Sequence, residues 1–116
     1  MAISSSKSSA LWNAWNIPSP AKPLFQAAVA NFTLHSEAKV ATDNDDRAPL
    51  LLIAGGQDHT VPETVVDATL AQYRNSNAVT ELITFSDRGH SLTIDHGWNQ
   101  LATEILVWLR QQSLGQ

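Results

Sequence analysis

The chain has 116 residues, a net charge of −4, no cysteine, and 43% apolar residues that include four tryptophans. That is enough for one domain with a modest core, and it excludes disulfides, thiol catalysis and thiolate metal sites. Seven lysines and arginines scattered singly do not make the basic stripe of a nucleic-acid groove, and no apolar run approaches the ~18 residues of a membrane span.

The opening segment, MAISSSKSSALW, has no apolar h-region and is not a secretion signal; the expectation is a soluble, cytoplasmic protein. Residues 1–9 read as a flexible Ser-rich leader. Residues 10–48 read as small helices joined by loops. Leu11, Trp12 and Trp15 make one short helical face, and Leu24, Phe25, Ala28, Val29 and Phe32 recur at helical spacing. Between them Pro18, Pro20 and Pro23 predict an extended, non-helical stretch over 17–23. Residues 43–47, DNDDR, predict a polar loop. The apolar faces of these helices are expected to pack on whatever apolar surface the rest of the chain offers, because large exposed patches are unfavourable.

From Pro49 the pattern changes. The apolar run 50–54, closed by Gly55 and Gly56, predicts a strand buried on both faces, as in a parallel sheet. Thr60 and Glu63 have capping-box spacing and Pro62 suits a first helical turn. The helix predicted over 62–74 places Val66, Leu70 and Tyr73 on one face, and Asn75-Ser76-Asn77 stops it. Residues 80–85 alternate and predict a second strand. Residues 95–112 carry Trp98, Leu101, Ala102, Ile105, Trp108 and Leu109 at 3–4 spacing, an amphipathic helix expected to cover the sheet. The order β-α-β-α implies a parallel pair with a right-handed crossover, so the fold class is α/β. Two parallel strands leave edges and faces that call for further strands, and the sequence reads as part of something larger.

In open α/β sheets functional groups gather beyond the carboxyl ends of strands. Asp58 follows the first predicted strand and His90 the second. Alone, an Asp there caps a turn and a His is a surface turn residue. Together, an Asp can accept a hydrogen bond from imidazole Nδ1, fix the tautomer, and leave Nε2 as a base. The glycines let both loops turn sharply and approach closely. His59, His90, His96, Asp58 and Asp95 lack the i, i+4 pairing of an H-E-x-x-H metal site, so no metal and no cofactor is expected. His96 is expected to begin the last helix and face solvent. Arg88 is expected to pair with Asp87 or Asp95 at the surface, a contact of little energetic weight.

The stretch LLLIAGGQDHTVP resembles the acid-bearing strand and loop of the α/β-hydrolase family, and DRGHSLTIDHGW resembles that family's histidine loop ahead of its C-terminal helix. AWNIPSPAKPLFQAAVANF resembles the lid inserted before the acid strand in some bacterial members. The resemblance spans about residues 11–112. It implies a lid-like segment over 10–48 and the C-terminal β-α-β-α portion of a hydrolase core over 49–116. It also implies Asp58 as triad acid and His90 as general base in hydrolysis of a small-molecule ester or related acyl compound. The family's G-x-S-x-G elbow lies upstream of the lid, and the 116 residues contain no such motif. Serines 4, 5, 6, 8 and 9 lie in no strand–turn–helix elbow. Ser91 adjoins His90, but neighbours in an extended turn point apart, and nucleophile and base must be within hydrogen-bond reach. Little or no hydrolysis is therefore expected of the chain alone. Two further readings stand beside this one: a non-catalytic module that forms homodimers or docks on a partner, and the complementing half of a split hydrolase.

Overall fold

The computed structural model describes residues 5–30 and 39–114, which form, in chain order, α1 (Ser5–Trp15), α2 (Lys22–Ala30), β1 (Leu50–Gly55), α3 (Glu63–Gln72), β2 (Thr80–Phe85) and α4 (Trp98–Gln111). The strands pair in parallel, in register from Leu50 opposite Thr80 to Gly55 opposite Phe85. Both therefore end at one level, and the two loops that follow leave the sheet side by side. This is the α/β architecture expected of a partial α/β-hydrolase fold.

Side chains alternate across a strand, so Leu50, Leu52, Ala54, Thr80, Leu82 and Thr84 share one face. Leu51, Ile53, Glu81, Ile83 and Phe85 share the other. Thr84 Oγ1 donates to Glu63 Oε1 at 3.0 Å, which puts α3 on the first face. Trp108 Nε1 donates to Glu81 Oε2 at 2.8 Å, which puts α4 on the second. Among the described residues the buried apolar side chains are Ala54, Phe85, Leu101 and Trp108. The inward stripe of α4 is thus Leu101 and Trp108, with Ile105 half-buried between them. Trp98 departs from expectation: it is 50% exposed rather than part of the core. It opens the helix, and beneath that end lies Arg88, bonded to the Gly97 carbonyl at 3.1 Å.

Several boundaries moved for identifiable reasons. α4 starts at Trp98, after His96, because the Asp95 carboxylate is engaged with Arg88 and accepts the Gly97 N–H at 2.9 Å. The capping box at the start of α3 does not form, and Pro62 precedes the helix without a side-chain cap. Asp58 Oδ1 instead takes the Thr60 and Val61 amides, at 2.8 and 2.9 Å, while Glu63 turns to Thr84. α2 begins at Lys22, inside the stretch read as non-helical. Pro23 falls in its first turn, where a missing N–H is harmless. α1 begins at Ser5, within the residues read as leader; Phe32 lies outside the described residues.

The polar loop at 43–47 stitches the amino ends of the strands. Asp45 Oδ1 accepts the Asn77 N–H at 2.6 Å. Arg47 donates to the carbonyls of Ala48, Val79 and Ala78, each at 3.0 Å, bonds Thr80 Oγ1, and lies 5.0 Å over the Tyr73 ring. The helices α1 and α2 do not pack on the sheet as expected: Trp12, Trp15, Ile17, Leu24, Phe25 and Val29 are all exposed, Trp15 to 75%. The physical reason is that α3 and α4 already occupy both faces of a sheet only two strands wide. No helix among the described residues is long and apolar enough to cross a membrane.

Candidate active site

The carboxyl ends of β1 and β2 are joined by backbone bonds that draw their two loops together. Gly56 N–H donates to the Phe85 carbonyl at 2.9 Å, and Gln57 N–H to the Arg88 carbonyl at 2.8 Å. Asp58 N–H closes back on Gly55 O at 3.0 Å, and Arg88 N–H on Phe85 O at 3.1 Å. Gly55 permits this proximity. A Cβ there would stand 2.7 Å from Arg88 O and 2.9 Å from Gly89 O, both backbone atoms, so any side chain would push the loops apart.

Across this seam His90 Nδ1 lies 2.9 Å from Asp58 Oδ2. Asp58 divides its carboxylate between two tasks. Oδ1 caps the turn through the Thr60 and Val61 amides, and Oδ2 meets the imidazole. The turn-cap and partner readings of this residue are thus both realised, one oxygen each. The Asp58 side chain is 7% exposed and that of His90 57%, so a shielded carboxylate orients a ring open to solvent. The Val61 amide first, then the His90 ring and the Thr60 amide, hold the Asp58 carboxyl below its ordinary 3.8, against the opposing push of burial. An ionised carboxylate only accepts, so Nδ1 carries the proton and Nε2 is the nitrogen left for acid–base chemistry.

The lowered Asp58 value has a consequence for stability. Below 3.8 the unfolded chain takes up this proton before the folded one does. The stabilisation is whole above 3.8 and is lost as pH falls toward the folded value. In urea titrations between pH 5 and 3, Asp58→Asn is expected to show a shallower fall in stability than the parent chain. Equal slopes would show that the carboxylate makes no such bonds in solution.

Of the other residues singled out by sequence, His59 and His96 are exposed. Among the described residues no group of three or more His, Asp or Glu is placed to hold a metal ion. The Ser91 carbonyl accepts the Ile94 and Asp95 amides, at 3.1 and 2.9 Å, which turns the chain directly after His90. Arg88 requires a correction. Its ion pair with Asp95 is buried, not superficial: both side chains are 3% exposed. Nε donates to Asp95 Oδ2 at 2.8 Å, Nη2 bonds Asp95 Oδ1 and reaches Leu92 O at 3.3 Å, and Nη1 donates to Gly97 O. Burial pushes the Asp95 carboxyl up, but Arg88 and the Gly97 amide outweigh it and hold it below its ordinary value. Beside the histidine loop, Ile94 closes an open apolar groove of about 680 Å³ whose other walls are Leu11, Trp12, Trp15, Asn16 and Ile17.

Two relatives, from Escherichia coli strain K12 and Salmonella typhimurium strain LT2, are both described as "Putative carboxymethylenebutenolidase". They are 31% and 30% identical to the chain over 62% of its length. The chain spans 28% of the length of each. No solved structure matches the chain. A model of the dienelactone hydrolase family matches residues 13–114, a span that takes in both strands, the acid and histidine loops and α4. The paired strand ends and the match along nearly the whole chain agree, and the chain belongs to the dienelactone hydrolase family, an α/β-hydrolase family.

Proposed function

We propose that this chain supplies the acid and the base of a Ser-His-Asp-type hydrolase acting on small-molecule esters or related acyl compounds, with the nucleophile contributed by polypeptide outside these 116 residues. The observation that carries this reading is the 2.9 Å contact between His90 Nδ1 and Asp58 Oδ2 at the carboxyl ends of two paired parallel strands. Family membership supports hydrolysis as the chemistry. The relatives' description names a butenolide, a cyclic ester, and an ester of that general kind is what the pair is suited to cleave. In the reaction, His90 Nε2 takes the proton of the attacking hydroxyl and later returns it to the leaving group. Asp58 holds the imidazolium in place between the two transfers.

The same reading expects the chain alone to be inert, because an acid–base pair without the G-x-S-x-G nucleophile supplies little rate enhancement. The test is release of p-nitrophenol from p-nitrophenyl acetate by the chain and by its His90→Ala variant. Equal rates, close to those in buffer, are expected. A rate that His90→Ala abolishes would show the 116 residues to be a working esterase.

A second reading rests on a different observation. Trp12, Trp15, Phe25 and Val29 are each exposed, and among the described residues the outer edges of β1 and β2 pair with no further strand. Exposed apolar surface and open strand edges favour association, and a homodimer is its simplest closed form. A monomer by light scattering at micromolar concentration would rule this reading out.

A further inference from the structure

We propose that Arg88 and Asp95 form a clamp that positions His90, so that Arg88 is a positioning residue for the acid–base pair; this rests on the reading of Asp58 and His90 given above. The clamp closes the histidine loop at its base. Arg88 stands two residues before His90; its side-chain hydrogen bonds reach the returning limb at Leu92, Asp95 and Gly97, and its guanidinium lies 5.9 Å over the Phe85 ring at the end of β2. Its backbone carbonyl meanwhile accepts the Gln57 N–H, one residue before Asp58. One residue therefore ties together the start of the histidine loop, its end, and the acid loop.

Burial separates the clamp from the group that it serves. Arg88 and Asp95 are 3% exposed, whereas His90 is 57% exposed. A solvent-exposed imidazole–carboxylate contact is weak by itself. The direction of the ring must then come from the backbone on which it stands, and catalytic geometry tolerates little slack: a misplacement of about 1 Å lowers rates by about a hundredfold. A planar guanidinium fork suits this task and an ammonium does not. Two parallel bonds to one carboxylate fix orientation, whereas a lysine offers a single point charge.

Gly97 gives independent support. Its φ is −109°, which any residue adopts, so its backbone does not call for glycine. A Cβ at that position would instead overlap the Arg88 guanidinium. The space above the loop is reserved for the fork.

If Arg88 and Asp95 served only to stabilise the fold, weakening them would lower overall stability but leave the Asp58–His90 contact unchanged in folded molecules. NMR of the ¹⁵N-histidine-labelled chain separates the two cases through the far-downfield Nδ1–H resonance of His90. Asp58→Asn is the control for the pair itself: a parent spectrum without that resonance would sink the acid–base reading, whatever the clamp does. Given the resonance, Arg88→Lys and Asp95→Asn are expected to lose it, or to exchange it with water about tenfold faster, while the amide signals of β1 and β2 stay in place. Gly97→Ala, which displaces the guanidinium without removing its charge, is expected to act in the same direction. A resonance of parental intensity and exchange rate in folded Arg88→Lys overturns the clamp. So does global unfolding of all three variants, which would make the pair a fold-wide strut.

Discussion

Trp108→Ala is expected to lower the stability of the chain by about 4 kcal/mol, a large part of the roughly 5–15 kcal/mol available to a domain. Trp108 is the largest of the four buried apolar side chains among the described residues, at 5% exposure. It joins α4 to the face of β2 that also bears Ile83 and Phe85. Its indole carries both an apolar area and a directed bond to Glu81, and a sheet of two strands has no third strand to take over the contact. Trp108→Phe separates the contributions. It keeps a six-membered ring in the same space and removes the donor to an exposed carboxylate together with the rest of the indole, a loss of about 1–2 kcal/mol. Urea midpoints for the three proteins give both numbers if the slopes agree. A loss below about 1 kcal/mol for the alanine variant would mean that α4 does not pack on this face.

Such dependence on one indole explains which parts of the architecture were legible in the sequence. The strands were: an unbroken apolar run ending in two glycines leaves few alternatives, and the alternation of residues 80–85 matches β2 at both ends. The residue pair at the strand ends was legible for the same reason, because parallel register carries both loops to one edge. The capping box was not. Thr60 and Glu63 have the spacing, but spacing says nothing of a competitor: the Asp58 carboxylate two residues ahead takes the Thr60 amide that the Glu63 side chain would accept in a capping box, and Glu63 bonds Thr84 instead. The burial of Arg88 and Asp95 is not legible, because charge in a loop usually means solvent. Whether a loop folds over its own charges depends on closure, which in this chain is signalled only by Gly97. The apolar faces of α1 and α2 promised a partner surface, but no sequence pattern states that both faces of the sheet are already covered.

Asp58→Asn is expected to lower kcat about 10⁴-fold, equivalent to about 5.5 kcal/mol of transition-state stabilisation, once the chain is joined to the upstream portion of a dienelactone hydrolase relative that carries the nucleophile. The substitution is close to isosteric and leaves the structural task of the residue intact. The amide oxygen can still accept the Thr60 and Val61 N–H groups that Oδ1 now takes. The change falls on the other atom. An NH₂ group facing His90 Nδ1 donates where Oδ2 accepted, so the favoured tautomer carries its proton on Nε2. That nitrogen then cannot take the proton of the attacking group, and no anion remains to steady the imidazolium. His90→Ala in the same fusion should cost at least as much, and the double variant no more than His90→Ala alone, because the two residues act as a unit. With p-nitrophenyl acetate as substrate, a fusion in which Asp58→Asn retains kcat within tenfold of the parent, while His90→Ala abolishes it, would show that the imidazole takes its orientation from some group other than this carboxylate.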